Sequence, residues 1–365
     1  MKPKRPITPS SSPTLSSVLH DLDEDGHSLE NASSNNKPPT KLSDGMEPTS
    51  FPSLAQYQAG VDAISEELRL EKELNLQPGA HSFLLSHQTP PKKGTVLIFH
   101  GFCSGAWAFA DIADELHGRG YNVYALRMPG HGFLDDSGKS DSSHLPQPKD
   151  YLQFEELAEK GYQQAKAMGL PIRVLGQSGG GTVAVNLVRR HPDIEQAVLF
   201  APFLGINRTD ARILFTAVEK MDKLFGNYPG QALHKITVDV YEGVDPETFG
   251  NGEVSRHRTA SLGNVYALHR FARSQAQHSR DITVPIQVLS SALDDTSGLY
   301  GIRELYEGAS ANGQAAWVHF TEDEGIPHSM AHIRDVQDKQ KVKTVTDIAI
   351  NFFETSDTHH SPAAP

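Results

Sequence analysis

The sequence is poor in cysteine. Cys103 is the only cysteine among 365 residues, so the chain cannot form an intramolecular disulfide, and the paired cysteines of common zinc sites are missing. Cys103 follows a Gly-rich turn, but no further motif around it suggests a nucleophilic thiol. We interpret it as a buried structural residue. Neither a disulfide framework nor a cysteine-based metal site is therefore expected.

Long apolar runs and an excess of basic charge are also missing. No apolar run could span a bilayer, and the basic residues 1–6 are followed by polar residues instead of the apolar segment of a signal peptide. Lys and Arg number 33 against 45 Asp and Glu, a formal charge of −12, which argues against nucleic acid or an anionic membrane as the main partner. We expect a cytoplasmic protein without an integral membrane segment. The oligomeric state stays open.

The two ends of the chain differ in composition from the rest. Residues 1–50 are rich in Ser, Pro, Asn and Asp and show no sustained apolar period. Such a segment cannot bury enough apolar surface to offset the entropy lost on ordering. We predict a disordered N-terminal arm at 1–50 and a short disordered tail at 357–365.

Between these ends, short β-branched runs alternate with helical stretches. Buried parallel strands separated by helices give this pattern, which indicates an α/β fold with an open, doubly wound, mostly parallel sheet. Residues 51–202 and 280–356 are predicted to form this core. Residues 203–279 show helical segments and no convincing core strand, and we predict that they form a helical cap. The strand-like runs are 95–99, 121–126, 172–175, 197–200, 286–289 and 316–320.

One strand-like run leads into a motif that carries chemistry. Residues 176–180 read Gly-Gln-Ser-Gly-Gly and fit G-x-S-x-G, with strand 172–175 before them and a helical pattern after them. A nucleophile on so tight a strand-to-helix turn is strained and needs small neighbours. It also lies at a helix N-terminus, where developing negative charge is favoured. The pattern alone is weak, but its context predicts that Ser178 is a nucleophile.

A serine that attacks a carbonyl needs two backbone N–H donors for the oxyanion. Gly179, directly after the nucleophile, is expected to provide one of them. The loop after strand 95–99 reads His100-Gly101-Phe102, and Phe102 is the expected second donor. We interpret His100 as a hydrogen-bonded turn residue that orients this loop.

The acid and the base are expected late in the chain, each after a core strand. Asp294 and Asp295 follow strand 286–289, and only one of them can face an imidazole because neighbouring side chains on extended backbone point in opposite directions. His328 lies after the last strand and before the C-terminal helix, where a loop can reach Ser178. His332, four residues on, is the alternative base.

These motifs, together with Gly-His-Gly at 130–132, resemble the α/β-hydrolase superfamily, in the order Ser, Asp, His over residues 80–355. The resemblance is to its carboxylesterase and monoacylglycerol-lipase-like branch, which has a small helical cap. In that branch the acid usually appears as G-x-x-D. Counting from Ala292, which stands in place of the glycine, selects Asp295. The G-x-S-x-G turn, called the nucleophile elbow, has Gly179 where many lipases carry Met or another larger residue.

The resemblance implies a serine hydrolase that cleaves small carboxylic esters, with no metal or organic cofactor. The many aromatic residues of the predicted cap suggest an apolar acyl group on the substrate. Three alternatives stay open. A peptidase or amidase of the same fold would need cap carboxylates to hold a substrate amine. An acyltransferase would use the same triad, and a binding protein would have lost part of it. The cap carboxylates that could hold an amine are Glu219, Asp222, Asp239 and Glu242.

Overall fold

The computed structural model describes most of the chain between the two predicted disordered ends. The arm at 1–50 and the tail at 357–365 lie outside the described residues, as do 241–256 of the predicted cap, including Glu242. The described residues are 51–207, 209–226, 228–240, 257–332, 336 and 338–355.

Seven strands form one sheet in the order β1-β3-β2-β4-β5-β8-β9. Only the pair β1 and β3 is antiparallel, and every other neighbouring pair is parallel. The predicted mostly parallel sheet is confirmed, whereas the short, half-buried edge strand β1 was not predicted. The strands are β1 Phe83–Leu85, β2 Thr95–Phe99, β3 Asn122–Leu126, β4 Ile172–Gln177, β5 Gln196–Phe200, β8 Ile286–Ser291 and β9 Ala315–Phe320.

Helices cover both faces of the sheet because side chains alternate along each buried strand. Leu97 and Phe99 point to a face covered by α1, α3, α4 and α8. Val96 and Ile98 point to the opposite face, covered by α2 and α9. None of the helices in the described part of the chain is long and apolar enough to cross a membrane. The core helices are α1 Leu54–Glu71, α2 Ala110–Gly118, α3 Gln153–Ala167, α4 Gly179–Arg190, α8 Leu299–Ser310 and α9 Lys339–Thr355.

The cap follows β5 and contains more than helices. Its helices α5 (Thr209–Phe225), α6 (Tyr228–Ala232) and α7 (Leu262–Gln277) are joined by a two-stranded antiparallel sheet. The two strands are β6 (Thr237–Asp239) and β7 (Thr259–Ser261). The cap contains the predicted helices, whereas these two strands were not predicted, because strands of three residues are too short to produce a recognisable period-2 pattern.

The strand order creates a crevice at one edge of the sheet. β2 lies between β3 and β4, so the chain turns to one side after β2 and to the other side after β3. In open α/β sheets, ligands bind at such a switch point, beyond the carboxyl ends of the strands. The loops after β2 and β4, which contain Phe102 and Ser178, meet there.

Candidate active site

Ser178 lies on a strained turn between β4 and α4. Its backbone has φ 50° and ψ −120°, a conformation that side-chain-bearing residues rarely adopt. The turn is held by the neighbouring strand, since Ser178 N donates to Phe200 O at 2.9 Å and Phe203 N donates to Ser178 O at 2.9 Å. The strain is therefore fixed by the neighbouring backbone, as the motif predicts for a nucleophile on a tight strand-to-helix turn.

The small residues around Ser178 are required by close backbone contacts. A Cβ on Gly180 would overlap the carbonyl oxygens of Phe99 and His100, and one on Gly181 would lie 2.9 Å from Pro202 Cα. Helix α4 can begin directly against the neighbouring loops only because these positions carry no side chain.

Strained backbone concentrates around this crevice. Among the described residues, four non-glycine residues have positive φ: Cys103, Ser178, Ala201 and Met330. The first three follow the carboxyl ends of β2, β4 and β5, and Met330 lies two residues after His328. Such strain persists only where the surrounding structure fixes it, and it is common at active sites. Its distribution therefore makes this edge of the sheet the candidate for the functional one.

The loop after β2 lies directly over Ser178. A Cβ on Gly101 would be 3.5 Å from Ser178 Cβ, and a Cβ on Gly179 would be 3.3 Å from Phe102 N. The two expected oxyanion donors, Phe102 and Gly179, are therefore next to each other and next to Ser178. This is the neighbourhood that an oxyanion hole requires.

Buried histidines hold this loop in place. His100 Nε2 accepts from Met128 N at 2.9 Å, and its Nδ1 lies 2.8 Å from Gly101 O. Because Nε2 accepts a hydrogen bond, it carries no proton, and Nδ1 carries the single ring proton and donates it to Gly101 O. The imidazole of His100 is therefore neutral. Burial lowers the pKa of His100 to about 3, which keeps it neutral at physiological pH. This geometry agrees with our interpretation of His100 as a turn residue that orients the loop.

Two further buried histidines continue the connection to the cap. His131 Nε2 accepts from Cys103 N at 2.9 Å, and His257 Nε2 accepts from Gly132 N at 2.9 Å. Their rings are adjacent, with centroids 5.8 Å apart. Burial lowers the pKa of His131 well below its ordinary value and that of His257 to about 4. Neutral imidazoles thus connect the loop after β2, the loop after β3 and the cap segment that leads into β7.

The same contacts indicate a structural role for Cys103. Cys103 is buried, and burial raises the pKa of its thiol well above the ordinary value. A thiol that stays protonated is a poor nucleophile. Its backbone N–H has a role instead, as the donor to His131.

The structure pairs His328 with Asp294. Asp294 Oδ2 lies 2.8 Å from His328 Nδ1, and the carboxylate is almost fully buried. The other oxygen, Oδ1, accepts from Thr296 N and Ser297 N, both at 2.9 Å. One carboxylate oxygen is therefore fixed by the loop while the other faces the imidazole, as an orienting acid requires.

The expectation that Asp295 faces the imidazole is corrected by this geometry. Leu293 forms a parallel bridge with Pro327, which brings the next residues, Asp294 and His328, side by side. Asp295 lies on a bend in the chain, is exposed, and accepts from Thr296 Oγ1 at 3.1 Å. Counting G-x-x-D from Ala292 was wrong by one residue.

Gln177 connects the histidine loop to the nucleophile turn. Its side chain is buried, and Nε2 donates to His328 O at 3.2 Å. His328 is thereby held against the residue that precedes Ser178. His332, the alternative base, is buried elsewhere, with its ring 5.4 Å from Phe109 and 6.1 Å from Trp107, centroid to centroid. The arrangement favours His328 as the base.

The cap carboxylates in the described residues have partners within the protein. Asp222 is buried and accepts from Gly230 N at 2.8 Å and from Tyr266 OH at 3.0 Å. Asp239 pairs with Arg258 at 2.9 Å, and Glu219 pairs with Lys223 at 3.0 Å. These partners occupy the carboxylates that a peptidase would need for a substrate amine. In the described part of the chain, no three His, Cys, Asp or Glu side chains are grouped as a metal site.

Sequence reasoning missed three contributors to this site. Gln177 was visible only as the variable position of the elbow motif, and His131 only as part of Gly-His-Gly. His257 carries no local signal, because its partners lie 125 and 117 residues away in the chain. The missed residues support the loops rather than react, and support of this kind depends on tertiary contacts.

Comparisons with known proteins agree with this fold. The model of the family Hydrolase_4, described as serine aminopeptidase S33, matches residues 90–321. A monoacylglycerol lipase of Mycolicibacterium smegmatis is 25% identical over 243 residues, which cover 65% of this chain and 82% of the relative. A monoglyceride lipase of Homo sapiens is 25% identical over 243 residues, covering 60% of this chain and 76% of the relative.

The solved structures extend the similarity to the fold. The crystal structure of a monoacylglycerol lipase from Paleococcus ferrophilus superposes with a TM-score of 0.54 at 16% identity. The match covers 75% of this chain and 98% of the other. At this identity the similarity shows the fold alone, and it confirms the predicted α/β-hydrolase architecture.

Proposed function

This chain belongs to the Hydrolase_4 family of α/β-hydrolases, and on that premise we propose that it hydrolyses carboxylic esters through an acyl-enzyme on Ser178. Ser178 is the nucleophile, His328 the general base and Asp294 the acid that orients it. The N–H groups of Phe102 and Gly179 bind the oxyanion. The observation that carries the proposal is the juxtaposition at one sheet edge of the strained Ser178 with the Asp294–His328 pair.

The chemistry follows from the positions of these groups. His328 takes the hydroxyl proton as Ser178 Oγ attacks the ester carbonyl, and the negative charge moves to the carbonyl oxygen between the two N–H donors. Asp294 keeps the proton of His328 on Nδ1 and stabilises the imidazolium. The carbon–oxygen bond to the alcohol then breaks, and the alcohol leaves with the proton from His328. Water repeats the cycle and releases the acid and Ser178.

An ester fits this site better than a peptide with a free amino terminus. Glu219, Asp222 and Asp239 already bind Lys223, Gly230 and Tyr266, and Arg258, so a substrate amine would have to displace a partner. The relatives named above are lipases of monoacylglycerols, which are esters of glycerol. We carry over the substrate class from them, namely a small ester with an apolar acyl group.

The test is a panel of p-nitrophenyl esters of increasing acyl length and an amino-acid p-nitroanilide, assayed with the wild type and Ser178→Ala. We expect ester turnover that Ser178→Ala lowers by ~10³-fold or more, with little turnover of the anilide. Anilide turnover exceeding that of the esters would favour a peptidase. Unchanged ester rates in Ser178→Ala would overturn the proposal.

A further inference from the structure

Gly179 has no side chain, and its place is occupied by the cap. A Cβ built on Gly179 would lie 3.2 Å from Leu268 Cδ2 and 3.3 Å from Phe102 Cβ. Both contacts are tighter than ordinary van der Waals distance, so a side chain at 179 would require its neighbours to move. Leu268 is buried and belongs to helix α7 of the cap. A cap leucine therefore fills the space beside one of the two proposed oxyanion donors.

This glycine differs from the others of the elbow. Gly176 and Gly180 are restricted mainly by backbone atoms, which cannot yield. Gly179 has no positive φ, and what limits it includes the end of a flexible side chain, Leu268 Cδ2. The φ of residue 179 therefore permits a larger residue, which is disfavoured by Phe102 on one side and by the movable end of Leu268 on the other.

Helix α7 is fixed at both ends, so Leu268 is part of a rigid wall. At its start, Asn264 Nδ2 donates to Leu145 O and Pro146 O, both at 3.0 Å. Near its end, Gln275 Oε1 accepts from Asn186 Nδ2 of α4 at 3.2 Å. The helix is thus bound to the core on either side of Leu268.

The location of this wall determines which part of a substrate would meet it. The substrate carbonyl oxygen would lie between the N–H groups of Phe102 and Gly179. The acyl carbon next to the carbonyl is bonded to the carbonyl carbon, so it would lie closer to Gly179 and Leu268 than the far end of the acyl chain does. Leu268 would restrict the space around that carbon more than the space at the far end of the chain.

We infer that Leu268 is a specificity-determining residue that excludes acyl groups branched next to the carbonyl. It forms the wall that a larger residue at 179 would otherwise form, and Gly179 and Leu268 act as a complementary pair. The inference rests on the proposed ester hydrolysis. The substrates it selects are esters of unbranched carboxylic acids.

The experiment compares kcat/KM for p-nitrophenyl butanoate and p-nitrophenyl 2-methylpropanoate, which have equal composition and differ in branching. Leu268→Ala should raise the ratio of the branched to the unbranched ester by about 10-fold, the discrimination typical of one methyl group in a pocket. Leu262→Ala is the matched control, because Leu262 is an equally buried leucine on the same helix. It should leave the ratio unchanged.

A second readout does not depend on activity. Gly179→Ala should lower the Tm by about 3 °C in the wild type, where the new methyl group presses on Leu268, and by less in Leu268→Ala, where there is room. The double variant should also regain part of the preference for the unbranched ester. Leu268→Val, a milder change, replaces Leu268→Ala if the latter does not fold.

The outcomes separate this inference from the proposed function. An unchanged ratio in folded Leu268→Ala or Leu268→Val overturns it even when Ser178→Ala abolishes activity. The inference is also overturned if the effects of Gly179→Ala and Leu268→Ala on the Tm are additive in the double variant. A change seen only when the alcohol is varied at constant acyl group assigns Leu268 to the alcohol side and also overturns it. Failure of the proposed function itself would appear differently, as ester turnover that Ser178→Ala does not reduce.

Discussion

The choice between two adjacent aspartates gives the sharpest prediction. Asp294→Asn and Asp295→Asn change the net charge equally and differ by one position, so each controls for the other. In Asp294→Asn the amide oxygen can still accept from Thr296 N and Ser297 N, as Oδ1 does now at 2.9 Å. The loop should therefore keep its shape, and the Tm should change by only a few degrees.

The effect on catalysis should be large. With the amide oxygen bound to the loop, the amide NH₂ replaces Oδ2 at 2.8 Å from His328 Nδ1. A donor at that place forces His328 to carry its proton on Nε2, where it cannot accept the proton of Ser178. The wrong tautomer reduces kcat by ~10⁴-fold in a Ser-His-Asp triad, equivalent to about 5 kcal/mol.

Asp295→Asn should change kcat less than about 2-fold, because its side chain is exposed and accepts a hydrogen bond from the neighbouring Thr296 Oγ1 at 3.1 Å. Steady-state hydrolysis of p-nitrophenyl butanoate by both variants, with thermal unfolding curves, provides the measurement. A larger loss in Asp295→Asn, or equal losses in the two folded variants, would refute the reasoning from the Asp294–His328 pair.

Three further predictions concern the support of the site. Burial lowers the pKa of His257 to about 4 in the folded state. Below about pH 6.5 the unfolded chain therefore binds more protons at this residue than the folded chain does. As a result, the free energy of unfolding should fall by about 2 kcal/mol from pH 7 to pH 5 through His257. His257→Gln should flatten that dependence in urea unfolding curves. Gln177→Leu removes the donor to His328 O and should lower kcat about 10-fold at unchanged KM. Gly180→Ala should abolish soluble expression because its Cβ would overlap two carbonyl oxygens, whereas Gly118→Ala, with no atom within 4 Å of the new Cβ, should fold.

Each of these has an outcome that contradicts it. A His257→Gln variant whose stability depends on pH as steeply as the wild type would show that this imidazole does not take up a proton on unfolding. For Gln177→Leu, an increase in KM at unchanged kcat would show that the amide serves substrate binding instead of His328. A folded Gly180→Ala with wild-type Tm would contradict the close approach of α4 to the loop after β2.

Much of the fold could be predicted because its signals are local. Short runs such as 95–99 and 172–175 are buried on both faces, and their mainly apolar composition indicates it directly. Ser178 combined a strand, a tight turn and a helix within about 15 residues, so its place in the fold followed from the sequence. The short strands β1 and β6 could not be recognised, because three residues give no period.

The error at Asp295 has a different cause. Which aspartate faces His328 depends on the bridge between Leu293 and Pro327, and these residues are 34 positions apart. Ser291 strengthens this register, since its Oγ accepts from Leu293 N at 3.0 Å and donates to Ile326 O. The register between two distant segments cannot be predicted from either segment alone, and a shift of one residue turns every side chain to the opposite face.

The most direct test of the account is to identify the residue that forms the covalent intermediate. A fluorophosphonate reacts with an activated serine and leaves a stable phosphonyl ester. Trypsin cleavage after Arg173 and Arg189 would release residues 174–189, in which Ser178 is the only serine. We predict that mass spectrometry finds the phosphonyl group on this peptide at Ser178, and that Asp294→Asn is labelled far more slowly than Asp295→Asn. Labelling of another residue, or none in a folded protein that hydrolyses esters, would contradict Ser178 as the nucleophile.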